Sequence, residues 1–269
     1  MRFINRRPTR AWRVLLGVLP FLLLAGIYLA ASKTRLEINP NDKLLPAPAT
    51  MATSMQRMAF EPNRRSGDYL LLTDTIGSLR RLGTGVAVAT VLGLVVGLAS
   101  GGLPTVAAGL APLLTVLSLV PTLALLPILF IVFGLGELSK VALIVIGTAP
   151  FIAREIQQRT REIPIEQIVK AQTLGANTLQ TLCRVLLPQI LPRLIDAVRL
   201  SLGAAWLFLI AAEAIASTDG LGYRVFLVRR YLAMDVILPY VAWITVLAYL
   251  FDSGLRALNR RLFPWANPA

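Results

Sequence analysis

Long apolar stretches separated by short polar blocks dominate the chain. Val14 to Ser32 carries no charged residue, and neither does Leu82 to Gly136. A hydrocarbon core about 30 Å thick needs about 20 helical residues, so the second stretch is too long for one crossing. Gly101-Gly102-Leu103-Pro104 divides it, because glycine weakens a helix and proline removes a donor. Spans are expected near 14–32, 80–99, 114–134, 139–156, 194–216 and 236–256, which makes six crossings. Pro112, Pro121 and Pro127 are expected to kink the third. The first run follows Arg2, Arg6, Arg7, Arg10 and Arg13 and ends in small residues, as a signal peptide does, but its length favours an uncleaved span.

Between the spans the polar segments differ. Residues 34–72 form a mostly irregular external linker containing Pro40, Pro46, Pro48 and Pro62, with one short helix near Thr50–Phe60. Asp68 to Arg81 leads into the second span as an interfacial helix. The division is then 1–33, a basic N-terminus with the first span; 34–72, the linker; 73–258, the core with a cytoplasmic loop at 157–190; and 259–269, the tail.

Composition fixes the class. Hydrophobic residues make up 56% of 269 and charged ones 15%, far from the balance of a soluble domain. The net charge of +13 raises nucleic-acid binding, but the basic residues sit in blocks beside apolar runs, as in membrane loops. Arg154, Arg159, Arg161, Lys170, Arg184 and Arg193 place the loop between the fourth and fifth spans inside, with both termini cytoplasmic. Arg224, Arg229 and Arg230, in an expected outer loop, run against that orientation. The chain reads as an all-α, multi-pass integral membrane protein, in contact with lipid and not with nucleic acid.

Candidate chemistry is sparse. With no histidine, neither a Ser-His-Asp nor a Cys-His nucleophile can be assembled. The single cysteine, Cys183, admits no internal disulfide. There is no phosphate-cradling G-x-x-x-x-G-K-[ST] loop, so an enzyme acting alone is not expected. Charged residues inside membrane spans tend to mark transport routes. Glu213, near the outer end of the fifth span, is the clearest candidate for a translocation path. A carboxylate at the membrane rim, hydrated or paired with a basic loop residue, is the simpler account of it.

The stretch from Arg159 to Pro192 carries the most information. Pro164 suits a helix start, and Ile165, Ile168 and Val169 fall on one face opposite Glu166, Gln167 and Lys170. Gly175 is placed to cap that helix in the left-handed conformation. Asn177 with Gln180 three residues later forms a capping-box pattern for a second helix, which Pro188 is expected to end. Two short amphipathic helices around a fixed elbow can dock on a partner or merely pack on the bundle's rim.

Ala171, three residues, Gly175, nine residues and Val185-Leu186-Leu187-Pro188 together resemble the "EAA" loop of binding-protein-dependent ABC importer permeases, E-A-A-x3-G-x9-I-x-L-P. Val169 and Lys170 stand where that pattern has Glu and the first Ala. Leu119-Val120-Pro121-Thr122-Leu123-Ala124-Leu125-Leu126-Pro127 resembles the "IPPLALLP" stretch of the nitrate/sulfonate/taurine subgroup. Ala212-Glu213-Ala214 with Gly220-Leu221-Gly222-Tyr223 resembles its "AE…GLGY" segment. The likeness runs over about 44–265. It implies a type-1 permease fold and an importer subunit moving a small anion, such as a sulfonate, taurine or nitrate, by alternating access. It also implies a homodimer, two ATPase copies and an external substrate-binding protein. No cofactor is expected on this chain; ATP and Mg²⁺ belong to the ATPase. The coupling residues carried over are Ile165, Ile168, Val169, Lys170, Ala171, Gly175, Ala176, Asn177, Val185, Leu187 and Pro188. An ion-coupled secondary transporter and a non-transporting scaffold are the rivals.

Overall fold

The computed structural model describes residues 9–40, 42–63 and 67–266. Among these the secondary structure is entirely helical. Helix α1 spans Arg10–Ile38, α2 Pro48–Phe60, α3 Leu70–Gly102, α4 Pro104–Leu119 and α5 Leu126–Phe133. They are followed by α6 (Glu137–Arg161), α7 (Ile165–Thr173), α8 (Thr178–Gln180), α9 (Leu187–Ala216), α10 (Leu221–Arg229) and α11 (Met234–Leu262).

The core is built where α3, α6 and α9 meet. Small residues recur every fourth position along α3, at Gly85, Ala89, Gly93, Gly97 and Gly101. A β-carbon at Gly85 would lie 2.8 Å from Ile144, one at Gly93 2.5 Å from Ile152, and one at Gly97 2.7 Å from Ile156. Helices in lipid have no hydrophobic drive toward each other, so close backbone approach at small residues is what binds them. Ile144, Ile152 and Ile156 are fully buried as a result. Helix α9 adds Ile190, Ala197, Ala205 and Leu209, while α11 closes the far side with Tyr240 and Leu247.

Helix α1 stands apart. Its apolar side chains from Trp12 to Leu29 are exposed, as suits a lipid-facing span. It is tied to the rest where Tyr28 and Ser32 donate to the Pro46 and Leu45 carbonyls at 2.8 and 2.9 Å.

Three expectations from the sequence are corrected. First, the expected third span does not kink but breaks, turning by 84° between 104–119 and 122–133. Pro121 forces the residue before it out of the helical region, and Val120 has ψ 124°. Among the described residues, four helices are long and apolar enough to cross a membrane, or five if the bent pair counts as one. Helix α6 lies where the fourth span was expected, but it carries Glu137, Lys140, Arg154 and Glu155. Second, the interfacial helix expected before the second span is simply the first turns of α3. Third, Pro188 does not end the second loop helix. A π turn at Thr181–Leu186, in which the Leu187 N–H donates to the Leu182 carbonyl, carries the chain directly into α9. The wider turn shifts the hydrogen-bond pattern just ahead of a residue that has no N–H to give.

Candidate functional site

The chain presents two polar constructions at opposite ends of the core. At one end, Gly101 and Gly102 of α3 lie against Thr160 of α6 and Leu182 and Leu186 of the π turn. At the same end Asn259 of α11 donates to the Pro192 carbonyl at 3.1 Å. The opposite end gathers the start of α6, the end of α9 and the start of α10.

The first construction is the elbow joining α7 to α8. Gly175 adopts φ +88°, a left-handed conformation that a side chain would strain. Its N–H donates to the Gln172 carbonyl at 2.9 Å, and the Ala176 N–H to the Ala171 carbonyl at 3.0 Å, the paired bonds of a Schellman motif. Asn177 then opens the next helix with a complete capping box. Its Oδ1 accepts from the Gln180 N–H at 2.8 Å, and its own N–H donates to Gln180 Oε1 at 2.9 Å. Gln189 ties α7 to α9, its Nε2 donating to Gln167 Oε1 at 2.9 Å and to the Val185 carbonyl at 2.8 Å. The elbow is thus fixed by bonds within about 25 residues of sequence.

Its apolar residues divide into two sets. Ile165 is 63% exposed, Val169 49%, Leu174 80% and Leu179 68%. Ile168, Ala171, Ala176, Val185 and Leu187 are half-buried, while Lys170 and Pro188 are exposed. The face assigned to Ile165, Ile168 and Val169 is therefore split, with Ile168 turned toward the protein. Leu174, the most exposed apolar residue of the elbow, was missed by a reading that followed helix faces, because it sits at the cap between them.

The second construction surrounds Glu213, which is fully buried rather than at a hydrated rim. Its carboxylate accepts from Arg81 Nη1 at 2.8 Å, from the Ser78 hydroxyl at 2.8 Å and from the Gly222 N–H at 2.8 Å. Arg81 also donates to both oxygens of Glu137, at 2.6 and 2.9 Å, and to the carboxylate and carbonyl of Asp219. All five N–H groups of its guanidinium are thereby used. Beside it, fully buried Asp74 accepts from Arg224 Nε at 2.8 Å and from the Tyr240 hydroxyl at 3.1 Å.

These groups also solve the problem of starting α10 inside the protein, where its first N–H groups have no helical partners. The Gly220, Leu221 and Gly222 N–H groups donate to Asp74, Ser78 and Glu213 respectively. The two glycines of Gly-Leu-Gly-Tyr follow from the same geometry. Gly220 has φ +117°, and a β-carbon there would lie 2.5 Å from the Glu213 carboxyl; at Gly222 it would meet the Ile210 carbonyl at 2.7 Å. Glu213 therefore holds α3, α9 and α10 together. Arg81, Ser78, Asp74, Arg224 and Tyr240, its partners in this knot, carry no local sequence signal of that role.

The helical bundle has the fold of a type-1 ABC importer permease. A solved structure of the methionine ABC transporter MetNI, in inward-facing conformations, superimposes with a TM-score of 0.63 at 21% identity, covering 72% of this chain and 96% of that one. Residues 89–264 match the family described as the inner membrane component of binding-protein-dependent transport systems, and the chain belongs to that family. Among its relatives, the taurine transport system permease protein TauC of Escherichia coli is 40% identical over 198 residues, 74% of this chain and 72% of that protein. The putative aliphatic sulfonates transport permease protein SsuC of Bacillus subtilis is 30% identical over 83% of this chain and 79% of its own length. The bicarbonate transport system permease protein CmpB of Synechococcus elongatus is 28% identical over 91% of this chain and 87% of its own. The chain is a multi-pass permease subunit of an ABC importer, a transporter and not an enzyme.

Proposed function

We propose that this permease imports a small sulfonate-bearing solute such as taurine, working as a homodimer on two copies of an ATPase subunit. The observation that carries the coupling role is the elbow. A segment whose backbone is fixed by a Schellman motif and a capping box, yet which leaves Ile165, Val169, Leu174 and Leu179 in solvent, is built to be covered by another surface. The segment 157–190 is the part that meets the ATPase, on the cytoplasmic side of a bacterial inner membrane, with both termini on that side. ATP and Mg²⁺ sit on the ATPase, and no cofactor is held by this chain. A substrate-binding protein delivers solute to the opposite face. ATP-driven closure of the two ATPases binds one permease conformation better than the other, and that difference is what moves the access from outside to inside.

The substrate class rests on the relatives, which are named as permeases for taurine, aliphatic sulfonates and bicarbonate. An ion-coupled mechanism finds no support in the buried carboxylates Glu213 and Asp74, which are each ion-paired, with Arg81 and Arg224. The test is reconstitution. Permease, cognate ATPase and binding protein in liposomes should take up radiolabelled taurine only when all three and ATP are present. ATPase activity that ignores the binding protein, or uptake driven by an ion gradient without ATP, would overturn the reading.

A further inference from the structure

A cleft of about 780 Å³ opens between α4, the break after it and α6. Its α6 wall carries Gly147, Pro150, Arg154, Gln158 and Arg161, a stripe at the three- and four-residue spacing of one helix face. The opposite wall carries Thr115, Ser118 and Thr122.

Hydrogen-bond chemistry distinguishes the two walls. The Thr115 and Ser118 hydroxyls donate to their own helix, to the Ala111 and Leu114 carbonyls at 2.9 and 2.6 Å. Their protons are spent, and they offer the cleft only lone pairs. The charged donors come from α6. There, Glu155 and Glu162 are held by Arg159, at 2.8 and 3.0 Å. Arg154 and Arg161 are exposed to the cleft and form no ion pair among the described residues. Arg154 lies seven residues inside the end of α6, about 10 Å deeper at the rise of an α-helix. An arginine that lines a cleft with no ion-pair partner among the described residues marks a route for a charged species.

We propose that this cleft is an anion-conducting passage in which Arg154 and Arg161 hold the solute in turn, with Gln158 between them as a neutral donor. The ligand class is a small oxyanion, a sulfonate or carboxylate, whose acceptor oxygens match guanidinium donors on one wall. The two sites, about two helical turns apart, let the solute pass from the deeper arginine to the other within the cleft. The inference rests on the importer reading for the solute's identity, whereas the sign of the charge in the cleft is independent of it.

The test therefore reads that sign directly. In a Cys183→Ser background, Thr115→Cys places one thiol on the wall facing Arg154. Its modification rates by an anionic reagent, sulfonatoethyl methanethiosulfonate, and by its cationic trimethylammonium counterpart are measured in detergent. Dividing their ratio by the ratio for a free thiol isolates the local potential. Arg154→Gln should lower the corrected ratio at least about threefold, since a focused field raises local counter-ion concentration. Arg154→Lys should restore most of it, and Arg161→Gln should lower it less at this deeper thiol. All variants are compared as monodisperse peaks. In liposomes with the ATPase and binding protein, Arg154→Gln should cut taurine uptake about fivefold or more, with Arg154→Lys in between.

An unchanged ratio in Arg154→Gln and in the Arg154→Gln/Arg161→Gln double variant overturns the proposal. A wild-type complex that takes up no taurine, while the ratio still falls on neutralising Arg154, supports the anion cleft and removes the sulfonate-import reading instead.

Discussion

The two ends of this permease handle polar groups in opposite ways. Around Glu213, buried charges are paired between segments far apart in sequence: Arg81 reaches Glu213 across 132 residues, and Arg224 reaches Asp74 across 150. At the elbow, the bonds that set the caps stay within a few residues, as from Asn177 to Gln180 and Gly175 to Gln172, and Ile165, Val169, Leu174 and Leu179 face outward. The knot fixes where whole helices stand relative to one another. The elbow fixes only its own shape. One region is finished within the chain; the other has a rigid backbone and an unfinished surface, which is the construction expected of a contact with a separate subunit.

The sharpest way to break this contrast is at the knot. Arg81→Ala would leave Glu213 buried with only the Ser78 hydroxyl and the Gly222 N–H as partners. Removing one member of a buried pair typically costs about 3–5 kcal/mol, because the other charge is left without compensation. The expected result is a large fall in the thermal midpoint of the detergent-solubilised protein and in the yield of folded material. Glu213→Gln keeps the volume and removes the charge, so it should fall less far than Arg81→Ala. A midpoint unchanged in Arg81→Ala would mean the knot does not hold the helices together.

The second comparison uses the elbow's own division. Val169→Asp and Leu174→Asp place a carboxylate on residues already in solvent, so the folded permease peak should stay near wild type. Association with the ATPase should drop at least about tenfold, equivalent to about 1.4 kcal/mol, because the charge would be stripped of water on docking. Ile168→Asp differs: Ile168 is half-buried against the protein, so it should lower folded yield and association together. Quantitative pull-down of the ATPase, normalised to the permease peak, separates the two behaviours. Full association in Leu174→Asp would move the docking surface elsewhere.

What the sequence disclosed follows this same division. Gly175 and Asn177 were readable because caps are local: the residue types and spacings that make them lie within one turn. The break at Gly101–Pro104 and the short helix near residue 50 were readable for the same reason. The knot was not. Arg81 resembles an arginine at a membrane edge, and Arg224 resembles a charge in an outer loop, where it counted against the assigned orientation. Because it is paired with buried Asp74, Arg224 is a tertiary contact and not a free loop charge. Pro188 was misread because a proline following a polar stretch signals a helix end, and nothing local announces the π turn that accommodates it. The small residues of α3 were visible at every fourth position, but among so many apolar neighbours only the isoleucines of α6 reveal their purpose.

The smallest effect is expected where the structure is most local. Asn177→Ala removes the acceptor for the Gln180 N–H, and an N-cap of this kind is worth about 1 kcal/mol. The helix it starts runs on through the π turn into α9, which is held by packing against the other core helices, so the thermal midpoint should barely move. The loss should appear instead at the first turn. Hydrogen exchange at the Gln180 amide should speed up about fivefold, the factor that matches about 1 kcal/mol of local opening. Asn177→Asp, which keeps an acceptor oxygen, should retain most of the protection, and amides in α9 should be unaffected in both variants. Faster exchange spreading into α9 would show that elbow and bundle open as one unit, and the separation between a locally fixed elbow and a globally fixed knot would fail.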